Sequence, residues 1–197
     1  YNERAEAKTA TDETCAQLLD RASNLMSLIP GNSKPAAAAM EKLLALRETL
    51  SGKEHPDTLT VKSKLSVQLA NSGEDLERAQ ILAQEAATGF EKAGPDFFYQ
   101  HLQALVNVGG ILLIKKDRLA ANEVFSAVTT LGTGSSKKVM DLVSSAYNSM
   151  AEIALFFGRS ADRILYKKKS AEAIIAHSGA NSPAAYAARI EVATPAA

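Results

Sequence analysis

The chain has 197 residues, of which 46% are hydrophobic and 6% aromatic, and it contains no tryptophan. Its 22 Lys and Arg residues balance 22 Asp and Glu residues, so the zero net charge provides no long-range field to attract nucleic acid or anionic lipid. The length suffices for one domain or one short repeat array with its own core, and 35 alanines favour closely packed helices over sheets.

Helix signals recur along the chain with regular punctuation and predict nine helices. The predicted ranges are 11–29, 36–50, 59–70, 75–92, 97–115, 118–131, 138–157, 160–177 and 182–192. Side chains that can accept from free amides are expected as caps, namely Thr11, Asp57 or Thr58, Asp96, Ser160 and Ser182. A flexible loop is predicted over residues 132–136, because it contains Gly, Thr and Ser and lacks the spacing of a phosphate-binding loop.

A repeat of about 42 residues is the main feature of the sequence. The predicted turn residues Gly73, Lys116 and Gly158 are spaced by 43 and 42 positions. Small residues seven positions earlier and their apolar neighbours keep the same spacing: Ser66, Gly109 and Ala151, and Leu65, Val108 and Met150. A repeat of two helices predicts stacked hairpins, because one hairpin cannot bury its own apolar face. The small residues would let the two helices of a hairpin approach closely.

The linker motifs between these helices resemble those of a known repeat family. The run Leu50-Ser51-Gly52-Lys53-Glu54-His55-Pro56-Asp57, and in reduced form Gly94-Pro95-Asp96, is similar to the linker of kinesin-light-chain-like tetratricopeptide repeats (TPRs). The later Leu76-Glu77-Arg78-Ala79 fits the start of a second helix, and Asn107 and Asn148 lie near the family's asparagine-rich centre. The resemblance covers residues 36–177. The linker at 132–138 lacks His-Pro-Asp, and Ser63-Lys64 replaces the usual asparagine pair.

The resemblance implies an all-α fold, a right-handed superhelical stack of antiparallel hairpins (a TPR-like α-solenoid). We expect one domain over residues 1–197. Its parts would be a degenerate first hairpin (2–50), three repeats (55–93, 96–131 and 138–178) and a capping helix (182–193).

The resemblance also implies a concave groove lined by the first helix of each repeat. The residues it places there are mostly small and neutral and lack a charged clamp: Thr60, Ser63, Val67, Gln103, Val106, Asn107, Gly110, Ser145, Asn148 and Glu152. Their amide and hydroxyl groups would hydrogen-bond the backbone of a bound segment. The alternative is a solvated face of a structural spacer.

No set of residues indicates catalysis or metal binding. His55 beside Asp57 could suggest an acid-base pair, but the intervening Pro56 favours a rigid linker and cap. His101 lies in an apolar helix and His177 in a last helical turn, without ligand spacing between them. If His101 were buried in one pocket beside Asp141 or Glu152, an enzymatic function would have to be reconsidered. We therefore expect no enzyme, no metal and no cofactor.

Three further features are interpreted as structural. Cys15, the only cysteine, is expected to be a small buried residue. The basic run Arg163, Lys167, Lys168 and Lys169 is expected to be a solvated helix face. The apolar stretch 104–114 is shorter than the roughly 20 residues of a membrane span and is expected to be a core helix.

The function that follows is a non-catalytic protein-protein interaction scaffold that binds a peptide or protein segment in the groove. The partner would be another protein or another domain of its own parent chain, without nucleic acid or membrane insertion. The alternative is a ligand- or peptide-sensing regulatory domain of a larger protein, which a deep closed pocket near Gly109 and Gly110 would favour. The chain starts without methionine, so we expect an upstream segment to be missing. A cytoplasmic location is favoured, and an extracytoplasmic one if that segment held a signal.

Overall fold

A computed structural model describes residues 2–193, with side chains described for residues 8–190. All regular secondary structure in this part of the chain is helical, which confirms the predicted all-α class. Within residues 2–193 nine α-helices follow one another, with a 3-10 turn (Pro95–Phe97) before the fifth: α1 (Asn2–Ser27), α2 (Ser33–Ser51), α3 (Pro56–Ser72), α4 (Leu76–Ala93), α5 (Phe98–Ile114), α6 (Arg118–Gly132), α7 (Lys137–Phe156), α8 (Ser160–Ser178) and α9 (Pro183–Ala193).

The first of two compact units ends at Asn107, within α5. In this unit α1 packs on α2, α2 on α3, and α3 on α4. The buried face of α4 is rich in alanine, which allows neighbouring helices to approach closely. The start of α5 joins this core through Ala104, which clusters with Leu59 of α3 and Phe90 of α4.

The second unit begins at Val108. Here α6 packs on α7, α7 on α8, and α8 on α9. Gly109 of α5 lies directly against the ring of Phe125 in α6, because a Cβ on this glycine would stand 2.6 Å from the ring. A buried hydrogen bond of 3.0 Å joins the hydroxyls of Ser144 in α7 and Ser170 in α8. The prediction of a single domain over the whole chain stays a prediction.

The predicted turn residues share one backbone conformation. Gly73, Lys116 and Gly158 have φ values of 69°, 66° and 69°, in the left-handed region that commonly ends a helix. The associated small and apolar residues are all buried, as the predicted hairpin contacts require: Ser66, Gly109, Ala151, Leu65, Val108 and Met150. The period therefore corresponds to a repeated turn and packing position.

Several predicted caps are wrong. Thr11 lies inside α1, which begins at Asn2, because residues 2–10 contain no Gly or Pro to interrupt a helix. The N-cap of α3 is His55, whose Nδ1 accepts from the Asp57 amide at 3.3 Å, so neither Asp57 nor Thr58 caps it. Pro56 fits the first helical position because its missing N–H would have no partner there.

Differences of the same kind occur farther along the chain. Asp96 lies within the 3-10 turn, and α5 begins at Phe98. Ser160 is the first residue of α8, with Arg159 at the N-cap position. Gly132 still belongs to α6, so the predicted loop begins at Thr133. The expected cap of α9 is confirmed, since the Ser182 hydroxyl accepts from the Ala185 amide at 3.1 Å.

One stretch of the described residues is long and apolar enough to cross a membrane, by length and composition alone. It runs over Pro95–Ile114, with 20 residues and a mean hydropathy of 1.3. A single such helix is weak evidence, because the core helix of a folded domain passes the same test. Leu102 and Ala104 are fully buried within the first unit, and 39% of the most apolar 18-residue window is buried in all.

Candidate functional site

A groove of about 440 Å³ lies within the first unit, and we call it the first-unit groove. Its lining comes from five helices. These residues are Asn24 and Ser27 of α1, Met40 of α2, Thr60, Ser63, Lys64, Val67 and Gln68 of α3, Phe90 of α4, and Tyr99, Gln100, Gln103 and Asn107 of α5.

Helical spacing brings these side chains to one surface. Tyr99, Gln103 and Asn107 recur every four residues and therefore share one face of α5. On α3, Thr60 and Val67 are separated by seven residues, two turns of the same face. The groove thus lies between two rows of side chains, one on α3 and one on α5. The spacing within each row follows from the sequence.

The bottom of the groove is apolar. Met40 and Phe90 are each only 2% exposed, and Val67, another apolar lining residue, is partly buried. The walls are amides and hydroxyls. A bound segment would therefore bury an apolar side chain on this base and meet hydrogen-bonding groups at the sides, as in most binding pockets.

Two amides of α5 are oriented by contacts to neighbouring residues. Asn107 donates through Nδ2 to the Ser63 hydroxyl at 3.0 Å, which leaves its Oδ1 available to accept. Gln103 accepts through Oε1 from the Tyr99 hydroxyl at 3.2 Å, which leaves its Nε2 available to donate. An available donor and an available acceptor thus stand one helical turn apart, in an arrangement that suits a peptide C=O and N–H.

The only cation lining the first-unit groove is already paired. Lys64 Nζ lies 3.0 Å from Asp20 Oδ1 of α1, and the other carboxylate oxygen accepts from Asn24 at 3.1 Å. This network fixes α1 against α3 beside the groove. It also means that the described lining residues of the groove present no unpaired cation to a carboxylate.

A second cleft, of about 540 Å³, lies in the second unit along α7, and we call it the second-unit cleft. Its lining includes the predicted residues Ser145, Asn148 and Glu152. Lys167 of α8 contacts two of these residues, with its Nζ 3.4 Å from Asn148 Oδ1 and 3.5 Å from Glu152 Oε1. These two groups are therefore partly engaged within the protein.

The structure divides the predicted groove residues between these two places. Thr60, Ser63, Val67, Gln103 and Asn107 line the first-unit groove. The second-unit cleft contains the three predicted residues of α7. Val106 and Gly110 lie on α5 and line neither.

Sequence reasoning missed eight lining residues of the first-unit groove, namely Asn24, Ser27, Met40, Lys64, Gln68, Phe90, Tyr99 and Gln100. Asn24 and Ser27 belong to the hairpin outside the repeat resemblance, so the repeat register gave them no role. Met40 and Phe90 are apolar helix residues, and the sequence does not distinguish a groove-lining residue of this kind from an ordinary core residue. Tyr99 lies four residues before Gln103, and this spacing was the one available signal.

The histidines are engaged in contacts within the fold. Nδ1 of His101 hydrogen-bonds the Ala87 carbonyl oxygen at 2.9 Å, which ties α5 to α4. His177 contacts the Lys137 carbonyl oxygen through Nδ1 and lies 3.3 Å from the Asp141 carboxylate through Nε2. Among residues 8–190, no three His, Cys, Asp or Glu side chains converge as a metal site would require.

Two structural interpretations need correction. Cys15 is exposed rather than buried, because Ala16, the next residue of α1, takes the inward position. Lys167 is only 18% exposed and contacts α7, and Arg163 is half-buried, so the basic run is not uniformly solvated. Long basic side chains can lay their methylene groups along a neighbouring helix, which a charge pattern alone does not reveal.

Comparison with models of protein families gave no match, and neither did comparison with curated proteins. Solved structures similar to the chain include two of a Podosopora anserina protein, described as a kinesin light chain with nearly identical TPR-like repeats. The form with one substitution is 13% identical and has a TM-score of 0.70, with 94% of this chain and 84% of that chain covered. The other is also 13% identical, with a TM-score of 0.56 and 94% of both chains covered. The chain therefore has the fold of TPR-like helical repeats, as the resemblance implied.

Proposed function

We propose that the chain is a non-catalytic protein-interaction scaffold whose first-unit groove holds an extended segment of a partner protein. TPR-like folds supply helical scaffolding, and fold alone does not identify a ligand. The observation that carries the proposal is the pair of oriented amides on α5. Gln103 offers a donor and Asn107 an acceptor, above the buried Met40 and Phe90.

The chemistry of the groove narrows the kind of segment. Lys64 is satisfied by Asp20, so the groove lacks the cationic clamp that a terminal carboxylate requires. A neutral stretch with one apolar side chain suits the apolar base and the amide walls. Such a stretch would come from another protein or from another domain of the same parent chain.

The alternative of a ligand-sensing domain predicted a closed pocket beside Gly109 and Gly110. The Phe125 ring occupies the space beside Gly109, and a Cβ on Gly110 would meet nothing within 4 Å. No specific observation therefore favours that function over a scaffold.

The proposal is tested by selecting binders from a random peptide library on the immobilised chain and measuring their affinity by fluorescence anisotropy. The variant Gln103→Ala/Asn107→Ala should weaken selected peptides about tenfold, because two hydrogen bonds of roughly 0.5–1.5 kcal/mol each are lost. Gln84→Ala, an exposed amide on α4, is the matched control. If the unmutated chain, the double variant and the control bind the peptides equally well, the interaction lies outside the groove. If the library yields no binder, the groove is not a peptide site.

A further inference from the structure

Two neighbouring aromatic rings are exposed where α7 ends. Phe156 is 61% exposed and Phe157 is 42% exposed, and their rings meet edge to face with centroids 5.3 Å apart. Phenylalanine is usually buried, so a pair left in solvent is a departure that needs a cause. Exposed aromatic pairs rimmed by charge are typical of protein contact surfaces.

Each ring carries an arginine. The Arg118 guanidinium carbon is 3.7 Å from the centroid of the Phe156 ring, and that of Arg159 is 5.2 Å from the Phe157 centroid. A cation–π contact holds the guanidinium near the ring without using a conventional hydrogen-bond acceptor, so its N–H donors can still pair with a carboxylate. Neither arginine has a carboxylate partner among the described residues. We call these four residues, Arg118, Phe156, Phe157 and Arg159, the edge patch.

The local charge around the edge patch is positive in a chain that is neutral overall. The segments that contain the two arginines, residues 115–118 and 158–163, hold five basic and two acidic residues, Asp117 and Asp162. Asp117 caps α6 and accepts from the Ala120 amide at 3.1 Å. Because basic residues outnumber acidic ones here, the local charge remains positive.

We propose that the edge patch binds an acidic segment of a partner protein, in which two carboxylates flank apolar side chains. The carboxylates would accept from the in-plane donors of Arg118 and Arg159, and the apolar side chains would cover the exposed ring edges. The path from one guanidinium carbon to the other through the two ring centroids has steps of 3.7, 5.3 and 5.2 Å, and its total length is an upper limit to the distance between the two guanidiniums. This limit equals about four residue spacings of extended chain at roughly 3.4 Å each.

A protein segment fits these features better than nucleic acid does. Single-stranded nucleic acid binds by stacking bases on open ring faces along a basic groove. Here each ring already has an arginine beside it, and the chain as a whole has no net positive charge. The edge patch shares no residue with the first-unit groove, so its ligand does not depend on the function proposed above.

The test uses the whole chain and a fluorescein-labelled peptide of sequence Glu-Leu-Leu-Leu-Glu, whose two Glu side chains share one side of an extended chain, with Gln-Leu-Leu-Leu-Gln as its neutral match. Anisotropy should show saturable, salt-sensitive binding of the acidic peptide and at least threefold weaker binding of the neutral one. The variant Arg118→Gln/Arg159→Gln should weaken the acidic peptide about threefold to tenfold. Arg189→Gln, which removes an arginine near the Tyr186 ring on α9, is the matched control and should leave binding unchanged.

Three results would overturn the proposal. These are no saturable binding up to about 1 mM peptide, equal binding of the two peptides, or unchanged binding to the double variant. A single-stranded oligonucleotide or a vesicle of anionic lipid that binds more tightly, and loses binding with the same arginines, would also overturn it. Circular dichroism checks the fold, and the exposed Arg159→Gln alone serves if the double variant unfolds.

Discussion

The Asn107 side-chain amide donates to the Ser63 hydroxyl across 3.0 Å and joins two helices through residues 44 positions apart. The separation is close to the sequence repeat, so the bond links nearly equivalent positions of successive first helices. Ser63 is 8% exposed, which shields the contact from water. The same bond orients the Asn107 amide toward its proposed ligand.

We expect this pair to be coupled in stability. Asn107→Ala and Ser63→Ala should each destabilise the fold, and the double variant should cost less than the two changes together. The coupling free energy should be about 1 kcal/mol, the usual net value of a shielded hydrogen bond. Urea unfolding of the four proteins measures it. Strictly additive effects would mean that the contact does not contribute.

Alanine substitutions at two adjacent glycines of α5 should change the stability of the fold in opposite directions. A Cβ on Gly109 would stand 2.6 Å from the Phe125 ring, so Gly109→Ala should destabilise by about 1–3 kcal/mol through overpacking. Gly110 has open space and a helical backbone, so Gly110→Ala should stabilise by about 0.5–1 kcal/mol. Denaturant midpoints compare the two. Equal shifts would show that the ring moves aside at little cost.

Replacing Lys116 by glycine should stabilise the fold. Its φ of 66° is the left-handed conformation that costs a side-chain-bearing residue about 1 kcal/mol, whereas Gly73 and Gly158 avoid this cost. Lys116→Gly should therefore raise the melting temperature by about 2–4 °C. The reciprocal control, Gly158→Lys, should lower it. A melting temperature that falls with Lys116→Gly would contradict the strain argument.

The stability of the fold should depend on the contact between the Lys62 ammonium and the Glu85 carboxylate. The Lys62 side chain is 5% exposed and its Nζ lies 2.8 Å from Glu85 Oε2 on α4. Glu85→Ala should destabilise by about 1–3 kcal/mol, because a shielded charge loses its acceptor. Lys62→Met/Glu85→Ala should recover most of that loss, since the methylene packing remains and no charge is left unpaired. Thermal melts of the three proteins test this order, and no recovery would refute it.

The sequence predicted the helix-ending turns well because their causes are local. Gly73 and Gly158 combine a helix-ending residue with a fixed distance to small packing positions. Lys116 was identified by the period alone, since lysine itself gives no turn signal. The start of α3 was misplaced because imidazole is a rare cap, and only the coordinates show His55 accepting from Asp57.

The candidate site was predicted in part. Gln103 and Asn107 followed from the repeat register, because residues four apart share a helix face. The roles of Asn24 and Lys167 depend on which helix approaches which, and no pattern within one helix contains that information. The edge patch was missed for the same reason, since Arg118 and Phe156 meet only through packing.

The exposed position of Cys15 has a practical use. It is the chain's only cysteine, so a maleimide dye should attach at a single known atom without disturbing the buried core. Asn24 of the first-unit groove lies nine residues along the same helix, about 14 Å away at the usual helical rise. A fluorophore or spin label at this thiol would therefore report directly on occupancy of the groove, in the unmutated protein.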